Sequence, residues 1–83
     1  MTTNSNAHSP LSILVTGGSG FLGKAIVEEF ILASSPVSVS LLRVYDLKPY
    51  LGKGDDRIEF IQGDICDPAG INKACEGMDV VIH

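Results

Sequence analysis

Three glycines, Gly17, Gly20 and Gly23, follow one another at three-residue spacing between an apolar run and a helical pattern. Gly18, Gly20 and Gly23 also fit the related spacing GxGxxG, and both versions require the same chemistry. The first glycine allows a sharp turn with backbone angles closed to residues that carry a Cβ atom. Gly20 lets an anion approach the backbone, and Gly23 lets the helix pack closely against the sheet. The pattern predicts a turn that binds the pyrophosphate of a dinucleotide.

The start of the following helix supplies the hydrogen-bond donors. Amide hydrogens near Phe21 and Leu22 have no acceptor within the helix, and the helix dipole adds positive potential there. Each charge-assisted hydrogen bond contributes roughly 1.5–3 kcal/mol, and a micromolar affinity requires about 8 kcal/mol. A nucleoside-triphosphate P-loop is not predicted, because Gly23-Lys24 is followed by Ala25 and not by Ser or Thr. The alternative is a turn of purely structural use, which the entropy cost of three glycines disfavours.

An acidic residue, Asp46, stands at the end of the second predicted strand. A carboxylate at that place accepts hydrogen bonds from the adenosine ribose. A 2′-phosphate about 4 Å away would be repelled by roughly 4 kcal/mol at an effective dielectric near ~20, which favours NAD over NADP. Arg43 and Lys48 flank Asp46 and are alternative phosphate ligands, although a regular strand turns Arg43 to the face of Tyr45. The other interpretation of Asp46 is a turn-forming residue.

A second aspartate, Asp64, follows the third predicted strand. In the expected sheet order this strand end lies beyond Asp46, on the adenine side, so Asp64 is a candidate acceptor for the adenine amino group beside the Ile65 backbone. An Asx-type turn that leads to an N-cap at Asp67 explains the same residues, and spacing alone leaves both interpretations open. His83 lies at the strand edge where ligands bind, but a truncated core strand explains it better.

The elements that position these residues follow from the periodicity of the apolar residues. The run Leu11–Thr16 suits a strand buried on both faces. Spacings of three and four from Gly20 to about Ala33 predict an amphipathic helix. The remaining predicted elements are, in chain order, a strand within Val37–Tyr45, a strand at Ile58–Gln62, a helix from Asp67-Pro68 to Cys75–Gly77, and a strand from Asp79 to His83.

This order of elements, with right-handed crossovers, predicts an α/β fold: a Rossmann-type doubly wound parallel sheet of strand order 3-2-1-4. One helix on each face leaves apolar sheet bare, and 83 residues fall short of the roughly 150 of such a domain. We therefore expect a polar disordered tail over residues 1–10. Residues 11–83 are expected to be the N-terminal portion of a truncated NAD(P)-binding domain that continues beyond His83.

Charge and composition exclude several classes of protein. The net charge is −4 and the six Lys and Arg residues are scattered, which disfavours nucleic-acid binding. Cys66 and Cys75 are expected to be reduced thiols, and no metal site is predicted. Residues 1–10 lack the features of a secretory signal, and no apolar run reaches the ~18 residues of a membrane helix. An intracellular, cytoplasmic location is expected, with membrane association through other regions left open.

The segment Val15–Gly23 resembles the opening of the extended short-chain dehydrogenases/reductases. Together with Arg43–Leu47, Gly63–Asp67 and Asp79–His83, it looks most like the 3β-hydroxysteroid dehydrogenase/isomerase branch, which includes sterol 4-carboxylate 3-dehydrogenases. The likeness runs from about Leu11 to the last residue.

This resemblance implies an NAD-dependent oxidoreductase that acts on a secondary alcohol, 3β-hydroxysteroid or sterol-like. Its implied partners are the dinucleotide and a small-molecule alcohol, and homodimer formation is left open. The implied site residues are Gly17, Gly20, Phe21, Leu22 and Gly23 for the pyrophosphate, Asp46 for the ribose, and Asp64 and Ile65 for the adenine.

One feature of that family is missing from the sequence. Its Tyr-x-x-x-Lys pair, in which the tyrosine is the general base, has no counterpart: Pro49 stands four residues after Tyr45, and Gly54 four residues after Tyr50. No catalytic residue is therefore assigned within this chain. Two alternatives stay open, namely an NAD-dependent nucleotide-sugar epimerase or dehydratase, which opens similarly, and a non-catalytic dinucleotide-binding fragment.

Overall fold

A computed structural model describes residues 10–32 and 34–83. The predicted tail, apart from Pro10, lies outside the described residues, as does Ala33 at the predicted end of the first helix. The elements are β1 (Leu11–Thr16), α1 (Phe21–Ile31), β2 (Val39–Asp46), β3 (Ile58–Gln62), α2 (Pro68–Ala74) and β4 (Val80–Ile82).

The four strands form one parallel sheet in the order β3-β2-β1-β4. Val15 of β1 pairs with Val44 of β2 on one side and with Ile82 of β4 on the other. Val44 pairs in turn with Phe60 of β3. The predicted fold class and strand order are confirmed. The carboxyl ends of all four strands consequently lie at one edge of the sheet.

The core lies on both faces of the sheet, because successive side chains of a strand point in opposite directions. On one face α1 packs over β1 and β2, and on the other face α2 packs around Leu14, Tyr45 and Ala74. One helix therefore covers each face, as predicted. The buried residues of the α1 face are Ile13, Val15, Val27, Ile31, Val39, Leu42 and Val44.

Several elements begin or end about one to three residues from their predicted bounds, and one predicted helix cap has different contacts. β2 begins at Val39, two residues after the predicted region opens. Asp67 occupies the N-cap position of α2 with Pro68 directly after it, but the Asp67 side chain forms no capping hydrogen bond. The carboxylate instead lies beside Gly70, where an added Cβ would be 3.0 Å from Oδ2. The first turn of α2 consequently has no side-chain acceptor.

Apolar surface remains open along the β4 edge of the sheet. The side chains of Val80 and Val81 in this strand are 38% and 39% exposed. A single helix on each face does not reach this edge, which explains the exposure. Neither of the two described helices has the length and apolar character needed to cross a lipid bilayer.

Candidate functional site

The glycine turn leaves β1 abruptly. Gly17 has a φ angle of +69°, a conformation that residues with a Cβ atom rarely adopt. Its amide donates a hydrogen bond to the Tyr45 carbonyl at 2.9 Å, and its own carbonyl accepts one from the Gly20 amide at 3.1 Å. Gly17 therefore has the conformational role that the spacing predicts for the first glycine.

Gly18 and Gly23 of the turn lie close to different parts of the molecule. A Cβ atom at Gly23 would collide with the Gly17 carbonyl oxygen and lie 2.8 Å from the Gly18 Cα, so the close contact of Gly23 is with the turn itself. The close contact with the sheet belongs to Gly18, where a Cβ would lie 2.7 Å from Val44 Cγ1. The prediction that Gly23 allows the helix to pack closely against the sheet stays a prediction, since the three atoms nearest to its added Cβ all belong to the turn.

The first turn of α1 has a group of unpaired backbone amides, which we call the mouth of α1. Gly20 occupies the N-cap position, and no side chain caps the helix. Lys24 donates to the Gly20 carbonyl at 2.8 Å, whereas the amides of Phe21, Leu22 and Gly23 have no acceptor among the described residues. The side chains of Phe21 and Leu22 are 92% and 72% exposed. Three unpaired donors therefore lie together at the positive end of the helix dipole.

Asp46 connects the end of β2 to this turn. Its Oδ2 accepts a hydrogen bond from the Ser19 amide at 3.1 Å, and its Oδ1 accepts one from the Lys48 amide at 3.1 Å. The carboxylate thus forms the turn that follows β2 and also holds the glycine turn in place. Sequence reasoning missed the contact with Ser19, because nothing in the spacing signals it. The Ser19 hydroxyl oxygen is itself buried and has no hydrogen-bond partner.

Two adjoining clefts open at the carboxyl edge of the sheet. The first has a volume of about 260 Å³ and the second about 200 Å³, and they share Thr16, Gly17 and His83. Gly20 and Phe21 are exposed and line neither cleft. The first cleft is further lined by Tyr45, Asp46, Leu47, Asp64 and Ile65, and the second by Val15, Leu22, Gly23, Ile26 and Ile82.

Asp64 lines the first cleft, as does Gly17 of the glycine turn. Its Oδ1 accepts a hydrogen bond from the Cys66 amide at 2.8 Å, and its carbonyl accepts one from the Asp67 amide at 2.9 Å. The Asx-type turn considered from the sequence is therefore present. Asp64 and the half-exposed Ile65 nevertheless both line the cleft, so the turn and a ligand-facing position coexist.

Arg43 is held away from the clefts. Its Nη1 donates to the carbonyls of Ala74 and Glu76 at 2.7 and 2.9 Å, and its Nε is 2.6 Å from Glu59 Oε1. This side chain lies on the α2 face, as the predicted alternation with Tyr45 requires. Neither cleft has a Lys or Arg among its lining residues in the part of the chain that the structure describes.

His83 is an exposed residue that lines both clefts. Its Nδ1 is 3.0 Å from the Thr16 hydroxyl, which also lies within hydrogen-bond distance, 3.3 Å, of the Ile82 carbonyl. The interpretation of His83 as a residue of a truncated core strand stays a prediction, since His83 directly follows the last residue of β4. It lies beside the end of β1 where the two clefts meet.

The arrangement fits a dinucleotide, on three observations. The mouth of α1 presents unpaired amides to an anion, and the buried Ser19 hydroxyl lacks a partner within the protein. Gly20 leaves the approach to these amides free of any side chain. The carboxylates of Asp46 and Asp64 line the adjoining cleft, and carboxylates accept hydrogen bonds from hydroxyl and amino groups. A diphosphate flanked by such groups matches this order of donors and acceptors.

Comparison with known proteins gives related enzymes. The model of the 3-beta hydroxysteroid dehydrogenase/isomerase family matches residues 14–83. A probable dTDP-glucose 4,6-dehydratase of Sinorhizobium fredii is 40% identical over 80 residues, covering 88% of this chain and 22% of that protein. A 2-alkyl-3-oxoalkanoate reductase of Shewanella oneidensis is 36% identical over 69 residues, covering 83% of this chain and 16% of that protein.

A solved structure is similar in fold. It is a mutant of uronate dehydrogenase from Agrobacterium tumefaciens in complex with NAD, with a TM-score of 0.72 and 29% identity, covering 90% of this chain and 26% of that one. The chain thus spans about a quarter or less of the length of these proteins. Since the family model covers all but the first 13 of the 83 residues, the chain belongs to the 3-beta hydroxysteroid dehydrogenase/isomerase family, within the extended short-chain dehydrogenases/reductases.

Proposed function

We propose that this chain binds NAD(H) and is the N-terminal, cofactor-binding part of an NAD-dependent oxidoreductase. The single observation that carries the proposal is the group of unpaired amides at the mouth of α1, next to the Asp46 carboxylate. The NAD complex of the solved neighbour supports it. The proposed contacts are Gly17, Gly20, Phe21, Leu22 and Gly23 with the pyrophosphate, Asp46 with the ribose, and Asp64 and Ile65 with the adenine.

The pyrophosphate contacts are proposed to supply most of the affinity. Two or three charge-assisted hydrogen bonds of roughly 1.5–3 kcal/mol each account for much of the ~8 kcal/mol of a micromolar complex. The donors belong to the backbone of a turn whose position Gly17 and Asp46 fix. Little conformational entropy is therefore lost on binding, which favours affinity.

The preference for NAD over NADP rests on Asp46 and on the position of Arg43. Asp46 is held by two backbone amides, so its carboxylate cannot swing away from a 2′-phosphate without breaking them. Arg43, which would neutralise such a phosphate, is engaged by the C-terminal end of α2. Of the two flanking cations, Lys48 is the one whose side chain forms no hydrogen bond or ion pair with the described residues. The balance favours the cofactor that lacks the phosphate.

When bound, the nicotinamide accepts or returns a hydride, which is the chemistry that the family's enzymes use. The residues of this chain bind and orient the cofactor, and none of them is proposed to take part in proton transfer. We propose a secondary alcohol of the 3β-hydroxysteroid or sterol type as the substrate of the complete enzyme, as the family match suggests. A second candidate is a nucleotide sugar, which is favoured by the similarity to dTDP-glucose 4,6-dehydratases.

The cofactor proposal is tested by fluorescence titration of the chain with NADH and with NADPH. The unmodified chain is expected to bind NADH at least tenfold more tightly than NADPH. Half of the ~4 kcal/mol repulsion already exceeds the roughly 1.4 kcal/mol that corresponds to a tenfold difference in affinity. Asp46→Asn keeps an acceptor oxygen but removes the charge, and should therefore reduce the ratio of NADH affinity to NADPH affinity. Asp56→Asn, at an exposed aspartate outside both clefts, is the matched control. Equal or tighter binding of NADPH by the unmodified chain would contradict the assignment of Asp46.

The substrate proposal requires a form of the protein that extends beyond His83. Such a protein, supplied with NAD, is expected to form NADH with a 3β-hydroxysteroid. Turnover of dTDP-glucose with no net NADH formation, together with inactivity towards the steroid, would favour the second candidate. Binding of NADH with no turnover of either compound would favour a non-catalytic module.

A further inference from the structure

Tyr45 belongs both to the core and to the wall of the first cleft. Its ring packs against Leu14 and Ala74 on the α2 face, and the residue is only 3% exposed. Its hydroxyl reaches beyond β2 and donates a hydrogen bond to the Asp64 carbonyl at 3.1 Å. This bond ties the end of one strand to the turn that follows its neighbour. Tyr45, Asp46 and Asp64 all line this cleft.

Two glycines make room for this tyrosine. A Cβ atom at Gly63 would collide with the Tyr45 ring and hydroxyl, and a Cβ atom at Gly70 would collide with the hydroxyl. Tyr45 also lines a separate groove of about 290 Å³, which residues of β3 and α2 line as well. The hydroxyl therefore lies between the end of β3, the turn at Asp64 and the first residues of α2. A small displacement of the hydroxyl would move this turn.

The hydroxyl remains a donor over the physiological pH range. Burial raises the pKa of Tyr45 above its ordinary value, and the nearby carboxylates of Asp67 and Asp64 raise it further. A protonated hydroxyl matches the carbonyl oxygen that it contacts. The Asp64 carbonyl also accepts a hydrogen bond from the Asp67 amide. The turn at Asp64 therefore exists without the tyrosine, and the Tyr45 hydrogen bond adjusts the position of this turn.

We propose that Tyr45 is a positioning residue for the adenine subsite. By tying the Asp64–Ile65 turn to the end of β2, it sets the distance at which Asp64 meets the adenine amino group. This inference rests on the proposed binding of NAD(H). It adds a determinant of adenine recognition that does not itself touch the ligand's amino group and that the glycine and aspartate motifs do not contain.

Tyr50 provides a matched control. Its hydroxyl also donates to a backbone carbonyl, that of Lys53 at 3.0 Å, and its ring packs against the core cluster of the α1 face. Tyr50 lines neither cleft. Tyr50→Phe therefore removes a hydrogen bond of the same kind from a loop that has no proposed contact with adenine.

The test compares NAD with its purine analogue, in which a hydrogen atom replaces the adenine amino group, by calorimetric titration of the unmodified chain, Tyr45→Phe and Tyr50→Phe. One neutral hydrogen bond corresponds to about a fivefold effect. Tyr45→Phe is expected to weaken NAD binding about fivefold, to leave the analogue's affinity nearly unchanged, and so to remove most of the preference for NAD. Tyr50→Phe should preserve that preference.

A second readout follows the turn itself. Hydrogen exchange at the Cys66 and Asp67 amides, which donate to Asp64, should accelerate in Tyr45→Phe and not in Tyr50→Phe. An unchanged ratio of NAD to analogue affinity in Tyr45→Phe would overturn the inference, as would an equal loss for both ligands. Equal binding of NAD and the analogue by the unmodified chain would also overturn it, while leaving dinucleotide binding intact. Failure to bind either ligand would instead overturn the proposed function.

Discussion

The two described helices both begin at the carboxyl edge of one sheet, yet their first turns differ in the N-cap residue and in the number of amide hydrogens. α1 starts after Gly20 and leaves the amides of Phe21, Leu22 and Gly23 unpaired among the described residues. α2 starts after Asp67 and has Pro68 in its first turn, which contributes no amide hydrogen. The Asp67 amide is already bonded to the Asp64 carbonyl.

This difference shows that a helix N-terminus is not by itself an anion site. A carboxylate at the N-cap repels a phosphate even where, as at Asp67, it forms no capping hydrogen bond, and a proline removes one donor. A helix of seven residues such as α2 also sums fewer peptide dipoles than the 11 residues of α1. The mouth of α1 differs from the start of α2 because it has neither a carboxylate at the N-cap nor a proline in the first turn. Substitutions in the glycine turn test this difference.

The largest expected effect comes from Gly23→Ala. The added methyl would collide with the Gly17 carbonyl, and backbone atoms cannot give way as a flexible side chain can. We expect the free energy of unfolding to fall by about 3 kcal/mol and the affinity for NADH to fall about a hundredfold. Denaturant unfolding and fluorescence titration measure the two quantities.

Gly54→Ala is the control for this change. Gly54 has no atom within 4 Å of an added Cβ and lies in the loop between β2 and β3. Its substitution should alter unfolding by no more than about 0.5 kcal/mol and leave NADH binding unchanged. If Gly23→Ala behaves like Gly54→Ala, the tight turn is not what positions the amides.

A smaller effect, but a sharper one, is expected from Gly20→Asp, which gives α1 the N-cap residue of α2. The φ of −78° at Gly20 suits any residue, and an added Cβ would meet its nearest atom at 3.4 Å. The free energy of unfolding should stay constant or rise by about 0.3 kcal/mol. NADH affinity should nevertheless fall at least about tenfold, since the carboxylate occupies the amides and repels the phosphates.

Gly20→Asn separates capping from charge in that experiment. The amide side chain caps a helix about as well as a carboxylate but does not repel an anion. Its effect on NADH affinity should lie between those of the unmodified chain and Gly20→Asp. Undiminished affinity in Gly20→Asp would show that the phosphates bind elsewhere.

The smallest effect is expected from Ser19→Ala. The Ser19 hydroxyl is buried without a partner, and an unsatisfied buried hydroxyl costs about 1–3 kcal/mol. Its removal should therefore leave the free chain as stable as before or slightly more stable, by less than about 1 kcal/mol. Thermal unfolding with and without NADH measures this, and destabilisation of the free chain would mean that the hydroxyl has a partner.

The parts of the fold that depend on local pattern could be predicted from the sequence. The strand order follows from the alternation of strands and helices together with the handedness of crossovers. The turn at Gly17 follows from glycine spacing, because φ is a property of a single residue. Asp46 and Asp64 were placed at strand ends, and the structure brings both to one cleft.

Contacts between distant segments could not be predicted in this way. The bond between Asp46 and the Ser19 amide joins residues 27 apart, and the Gly18 contact with Val44 depends on how closely the turn lies on β2. The hydrogen bond from Tyr45 to Asp64 forms because the tyrosine side chain is long enough to reach from the end of β2 to the turn after β3. Such contacts are set by three-dimensional packing, which leaves no periodic signal in the sequence.

The most direct test of the account is a titration of the isotopically labelled chain with NADH, followed by the chemical shifts of its backbone amides. The account predicts that the largest shifts occur at Phe21, Leu22 and Gly23, and that the amides of α2 at Ala69 and Gly70 move far less. Unmoved amides at the start of α1 in a chain that binds NADH would contradict the central claim.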